Sequence, residues 1–173
     1  MANGNNHGAG VDPYVFVVTR VFAAPRELVY AAWTEPDRLS VWWGPVGFVL
    51  TVLKMELRPG GEFLYGMRSA EGYEMFGKFT YLELNAPGRT VSLLSFSDRD
   101  GVPVRHPMAP HWPLETLNTM TLSEENGMTT LTLSSTPHHA NQLECDTFLQ
   151  GHASMVQGFS GTFNQLESYL SGL

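Results

Sequence analysis

Residues 148–170, FLQGHASMVQGFSGTFNQLESYL, carry an apolar stripe of helical period at the end of a chain that otherwise reads as strands. At about 100° per residue, Phe148, His152, Met155, Val156, Phe159, Phe163, Leu166 and Leu170 share one arc of roughly 100°. Gln150, Ser154, Gln157, Asn164, Gln165 and Ser168 take the other side. A single long amphipathic helix cannot bury such a face by itself. It needs a curved sheet wrapped around it, and that arrangement tends to leave a hollow. One member of the buried face is a histidine.

Working outward, the preceding sequence supplies the sheet. Runs at 14–22, 48–56, 62–68, 73–84, 90–97, 114–123 and 128–135 are strand-like, and turn signals such as RPGG, SAEG, NAPG and DRDG separate them. EENG between the last two is an Asn-Gly hairpin signal. Connections this short exclude parallel crossovers, so the strands form an antiparallel meander. Thr130, Thr132 and Ser134 alternate with Leu131 and Leu133, which makes one face wet and the other dry. After the first run, AAPRELVYAAWT and EPDRLSVWWG read as two short helices, the second ending at Gly44. Asn141 and Glu144 form a capping pair for the terminal helix, predicted as one piece from about 142 to 170 and about 40 Å long. The expected fold class is α+β: a curved antiparallel sheet of about seven strands around a long C-terminal helix, with two short helices after strand 1.

Composition narrows the function. The chain has 173 residues, 43% hydrophobic and 16% charged, with a net charge of −7. That describes one globular domain, expected over 14–173, with residues 1–13 as a flexible tail. No Lys/Arg cluster is available to neutralise phosphates, so nucleic acid is excluded as a partner. No apolar run approaches the length of a membrane span, and no secretory signal is legible, so no membrane partner is expected. A lone Cys145 cannot build a disulfide framework and fits a reducing cytoplasm; its place near a helix start would lower its pKa. His106, His111, His138, His139 and Cys145 match no zinc spacing, and no phosphate loop or Ser nucleophile elbow is present. No metal and no cofactor are expected.

Four stretches, VFAAPRELVYAAWTEPDRLSVWWGP (21–45), ELRPGGEFLYGM (56–67), RHPMAPHWPLE (105–115) and MVQGFSGTFNQLESYL (155–170), give the chain a family likeness. It resembles the START-like, birch-pollen-allergen-like superfamily called SRPBCC, and within it the branch related to the C-terminal domain of the heat-shock-chaperone ATPase activator. The likeness runs over residues 14–171. It implies a helix-grip fold with an internal hydrophobic cavity and leaves room for a homodimer, but it supplies no substrate, because members bind, cyclise, carry lipids or regulate a chaperone.

The residues themselves propose a site. His152 is an imidazole on an apolar face, suited to orienting a ligand or moving a proton, or else tied to a strand carbonyl, Tyr65 or Tyr81. The loop 98–113 is long and proline-rich, as a lid or a rigid strap would be, with Trp112 packed inward over the cavity mouth. Trp42 and Trp43 point about 100° apart on the helix that the resemblance places at the cavity entrance, so one belongs to the core and the other to the mouth, with Trp43 the ligand candidate. Phe48, Leu50, Phe63, Tyr65, Met75 and Phe79 have inward strand parity, as do Phe96, Asn118 and Met120. Phe148, Met155 and Phe159 face them from the terminal helix. Gly151, Ser154, Gly158 and Gly161 form a small-residue flank fit for close backbone approach.

The expected function is binding of a small hydrophobic or aromatic ligand in the cytoplasm. One alternative is a polyketide-cyclase- or dehydratase-like enzyme in the same cavity with His152 as acid or base, weakened by the lack of a second carboxylate beside it. Another, by resemblance alone, is a regulator of a chaperone ATPase.

Overall fold

The computed structural model describes residues 12–173. The expected tail therefore lies almost wholly outside the described residues. The elements are β1 (Phe16–Phe22), α1 (Arg26–Thr34), α2 (Pro36–Trp42), β2 (Phe48–Met55), β3 (Glu62–Ser69), β4 (Glu74–Asn85), β5 (Arg89–Ser97), β6 (Glu115–Glu125), β7 (Met128–His138), α3 (Gln142–Gln150) and α4 (His152–Ser171).

The seven strands form one antiparallel sheet in the order β1-β7-β6-β5-β4-β3-β2. It is a meander from β2 to β7, closed by β1 at the far edge. Period-two patterning sets the register. Leu131 and Leu133 are buried while Thr130, Thr132 and Ser134 are half-exposed on the other face. Asn126 (φ 54°) and Gly127 (φ 75°) occupy the left-handed region that a two-residue hairpin requires. Register shifts between Val52 and Lys54 and between Tyr81 and Glu83 bend the sheet, as bulges do.

Two glycines inside strands are explained by the ring beside each. Gly77 lies opposite Tyr65 and Gly66 opposite Phe76 across the β3–β4 pair. A Cβ at Gly77 would run into the Tyr65 phenol, and one at Gly66 would stand 3.0 Å from the Phe76 ring. Each aromatic ring covers a glycine backbone on its own face, one inward and one outward, which restores packing that glycine lacks.

The terminal segment departs from the expectation of one unbroken helix. It is divided at Gly151 into α3 and α4. Asn141 caps α3 by accepting from the Glu144 backbone N–H at 3.0 Å, and the Glu144 carboxylate accepts from the Asn141 N–H at 2.8 Å. That reciprocal box is the one read from the sequence. Burial along the stripe is uneven. Phe148, Phe163 and Leu166 are fully buried, Met155, Phe159 and Leu170 are half-buried, and Val156 is 50% exposed. The N-terminal half of α4 thus stands off the sheet, whereas its C-terminal half is seated.

That seating is polar as well as apolar. The last carbonyls of α2 need donors. Thr162 donates to the Gly44 carbonyl at 3.1 Å, and Gln165 donates to the same oxygen at 2.7 Å and to the Trp42 carbonyl at 3.3 Å. Gln165 therefore leaves the solvent face assigned to it by helical periodicity. The WWGP segment and the terminal-helix segment are physically joined at this point. Among the described residues, no helix is long and apolar enough to cross a membrane.

Candidate functional site

Two spaces lie over the concave face, one beneath α1 and α2 and one beneath the N-terminal half of α4, and Asn118 lines both. The inner one, of about 30 Å³, is roofed by Trp33, Leu39 and Trp43 and floored by Phe63, Phe79, Asn118 and Met120. The outer one, of about 140 Å³, is enclosed by Tyr65, Phe96, Trp112, Phe148, Met155 and Phe159, with Asn118 again on its floor. A wall of rings divides them. Trp43 meets Phe79 at 5.8 Å and Tyr65 at 6.4 Å, and Tyr65 meets Phe63 at 4.9 Å and Phe79 at 6.1 Å. Edge-on and offset arrangements dominate, as ring quadrupoles favour.

Trp42 and Trp43 part company as their helical spacing demands. Trp42 is fully buried and donates its indole N–H to the Ala32 carbonyl at 2.9 Å. Trp43, half-buried, follows the end of α2 and turns to the inner space. Burial pushes the Tyr65 hydroxyl up to about 12, and the nearby Trp43 indole offsets part of that rise without reaching hydrogen-bond geometry. Both phenols on this floor, Tyr65 and Tyr81, stay protonated, the second also driven up chiefly by burial.

The loop 98–113 lies across the outer space as a strap. Arg105 donates to the Trp112 carbonyl at 3.0 Å and forms an ion pair with Glu144, which ties the strap to the first turn of α3. The Asn141 N–H, with Arg105 adding to it, holds the Glu144 carboxyl below the usual carboxylate range. The Trp112 ring rests on Phe148 at 5.2 Å, and a Cβ at Gly151 would come within 2.6 Å of it. Gly151 is thus where the strap meets the helix backbone. Of the other small residues on that flank, Gly161 touches Val46 while Gly158 faces open space, so close approach accounts for only part of the strip.

His152 sits elsewhere than its neighbours in the stripe. Its ring is wedged edge-on between Phe16, at 5.4 Å, and Phe148, at 5.1 Å, and it lines neither space. Its Nε2 is shielded and has no hydrogen-bond partner among the described residues. Burial lowers its pKa, so the imidazole stays neutral. Phe48, Leu50 and Met75 also fall outside both spaces and pack into or against the core. Cys145 departs from the expected acidification: burial, followed by Asp146 and Glu144, raises its pKa.

Ser92, Ser135 and Phe16, which sequence reasoning passed over, stand in the centre of the floor with Tyr81 and Asn118. Tyr81, Ser92, Asn118, Ser135 and Phe16 are successive cross-strand partners on β4, β5, β6, β7 and β1. Ser92 shares strand parity with Phe96, and Ser135 with Leu131 and Leu133, which was the available signal.

A curved antiparallel sheet gripping a C-terminal helix, with an apolar hollow at one end, defines the helix-grip class of α+β proteins. The sequence pattern of the family described as activator of Hsp90 ATPase homolog 1-like protein matches residues 23–171, and the chain belongs to that family. Solved structures agree. A Mycobacterium smegmatis protein is 25% identical, with 92% of each chain covered and a TM-score of 0.75. A Staphylococcus epidermidis protein is also 25% identical, covering 92% of this chain and 90% of its own, with a TM-score of 0.74. The AHSA1 protein of Silicibacter pomeroyi, at 17% identity, shares the fold over 91% of this chain and 97% of its own, with a TM-score of 0.67. No curated protein matches the sequence.

Proposed function

We propose that the protein binds a small, largely aromatic molecule between the sheet and the terminal helices and acts as a carrier or sequestering protein. The observation that carries this reading is the outer cavity of about 140 Å³, walled by aromatic and methionine side chains beneath a tryptophan strap. A dry apolar cavity of about 150 Å³ accommodates benzene in another protein, so a one-ring guest fits without rearrangement. Ligand sites for larger molecules run to about 300–1,000 Å³. A larger guest would join the two spaces by moving the ring wall of Trp43, Tyr65 and Phe79, or would lift the strap. His152, the group an acid–base reading needs, is wedged between Phe16 and Phe148 and lines neither space, which favours binding over turnover.

Native mass spectrometry of gently purified protein, with thermal-shift screening of a lipophile library, tests the proposal. Met155→Trp, which fills the outer space, should abolish any shift seen with the native chain. If no chemical class shifts the native protein, or if Met155→Trp responds equally, the site is not where we place it.

A further inference from the structure

The concave face is apolar toward its flanks and polar at its centre. Ser92, Asn118 and Ser135 stand side by side in register, and all three are almost wholly buried. Asn118 is the single residue that lines both spaces. Chemistry fixes its amide orientation. The group 3.1 Å from the Thr116 carbonyl and 3.0 Å from the Thr116 hydroxyl must be the NH₂, because a carbonyl oxygen can only accept. Oδ1 is therefore the free end. It has no hydrogen-bond partner among the described residues, and it does not belong with the sealed, unpartnered atoms such as His152 Nε2, so it faces cavity space.

We infer that Asn118 selects the guest: Oδ1 accepts a hydrogen bond from a hydroxyl or N–H on a neutral aromatic molecule seated in the outer space over Asn118. This rests on the small-molecule reading above. Neutrality follows from the walls, since no Lys, Arg, His, Asp or Glu lines either space. A carboxylate or ammonium there would lose its water and find no counter-charge. The need for a donor follows from Oδ1 itself. A guest without one displaces water from a carbonyl oxygen and leaves it unpaired, and discrimination of this kind is stronger than that from apolar fit.

Titration calorimetry with the full chain and matched single-ring probes tests the inference. The probes are p-cresol, which has a donor; p-methylanisole, an acceptor only; toluene, neither; and p-toluate, which is charged. The native chain should bind p-cresol roughly tenfold more tightly than p-methylanisole or toluene, and p-toluate not at all. Asn118→Leu should erase the preference and bring toluene level with p-cresol. Should that variant fail to fold, the native series decides alone. Equal affinity for p-cresol and p-methylanisole, or measurable binding of p-toluate, removes the role assigned to Asn118 while leaving a binding protein in place. Failure of all the neutral probes to bind removes the small-molecule reading and this inference with it.

Discussion

Replacing Gly151 by alanine isolates the contact between strap and helix, because two effects of opposite sign compete there. Gly151 has φ −77° and ψ −10°, an ordinary right-handed conformation that alanine adopts freely. On backbone grounds alone, Gly151→Ala should stabilise by about 0.5–1 kcal/mol. The new Cβ, however, would lie 2.6 Å from Trp112 Cζ3 and 3.0 Å from Cη2. Ordinary carbon contacts are about 3.5–4.0 Å, so the indole would have to retreat by about 1 Å. It is held by the Arg105 bond to its carbonyl and by its packing on Phe148. Overpacking of this kind costs about 1–3 kcal/mol, so with the backbone gain subtracted the net prediction is a loss of up to about 2.5 kcal/mol, or up to about 10 °C in Tm. Removing the obstacle reverses the sign: in a Trp112→Ala background, Gly151→Ala should stabilise by about 0.5–1 kcal/mol. Urea denaturation followed by far-ultraviolet circular dichroism measures all four corners of the cycle. A stabilising Gly151→Ala in the native background would refute the assigned contact.

Further expectations follow from neighbouring features. Gly77→Ala must displace the fully buried Tyr65 ring and should cost about 1–3 kcal/mol by chemical denaturation, whereas alanine at exposed Gly158, with nothing near its Cβ, should be neutral or stabilising. Gln165→Leu removes the donor to the Trp42 carbonyl and one of the two donors to the Gly44 carbonyl and should cost about 1–2 kcal/mol, with a more than additive loss on combination with Thr162→Val, because only the double variant leaves the Gly44 oxygen unpaired. The lowered pKa of His152 makes the folded form bind its proton less readily than the unfolded chain. Its contribution is fully present above the ordinary imidazole value of about 6.5 and is lost as pH falls from there through the folded value. His152→Phe should therefore flatten stability against pH in that window, and an unchanged slope in urea titrations would show that some other group sets it.

Much of this architecture is legible wherever a feature depends on local chemistry. Alternation in Thr130–Ser134, the Asn-Gly turn and the Asn141/Glu144 pair each force one backbone solution, and the structure adopts it. What depends on partners distant in sequence is less readable. Periodicity places Gln165 on the wet side of the terminal helix, but its amide is drawn to the exposed carbonyls that end α2. Gly151 reads as one member of a small-residue strip, yet its role comes from Trp112, a residue in a loop whose path no period predicts. His152 shares an arc with Met155 and Phe159, yet it wedges between Phe16 and Phe148 and lines neither space. Ser92 and Ser135 have inward parity within their own strands, but only the register sets them beside Asn118.

The outer hollow and the fully buried core around α2 are held apart in space. The fully buried residues Phe22, Leu39, Trp42, Leu131, Phe163 and Leu166 gather where α1, α2 and the C-terminal half of α4 meet the sheet. That end closes with ring contacts, such as Phe22 on Phe163 at 6.1 Å, and with the Thr162 and Gln165 bonds. The other end carries a tryptophan strap, a half-buried stretch of helix and a row of buried polar groups whose hydrogen-bonding capacity is only partly used. A sequence selected for stability alone would fill that end with leucine and dispense with Ser92, Asn118 and Ser135, because buried polar atoms with spare capacity destabilise an apolar core. Retaining them beside an unfilled space makes physical sense if a guest completes the packing and uses the remaining hydrogen-bond site. Saturating p-cresol should then raise the stability of the native chain by RT ln(1 + [L]/Kd), and protection from hydrogen exchange should rise at Asn118, Trp112 and the start of α4 more than in the already seated C-terminal half.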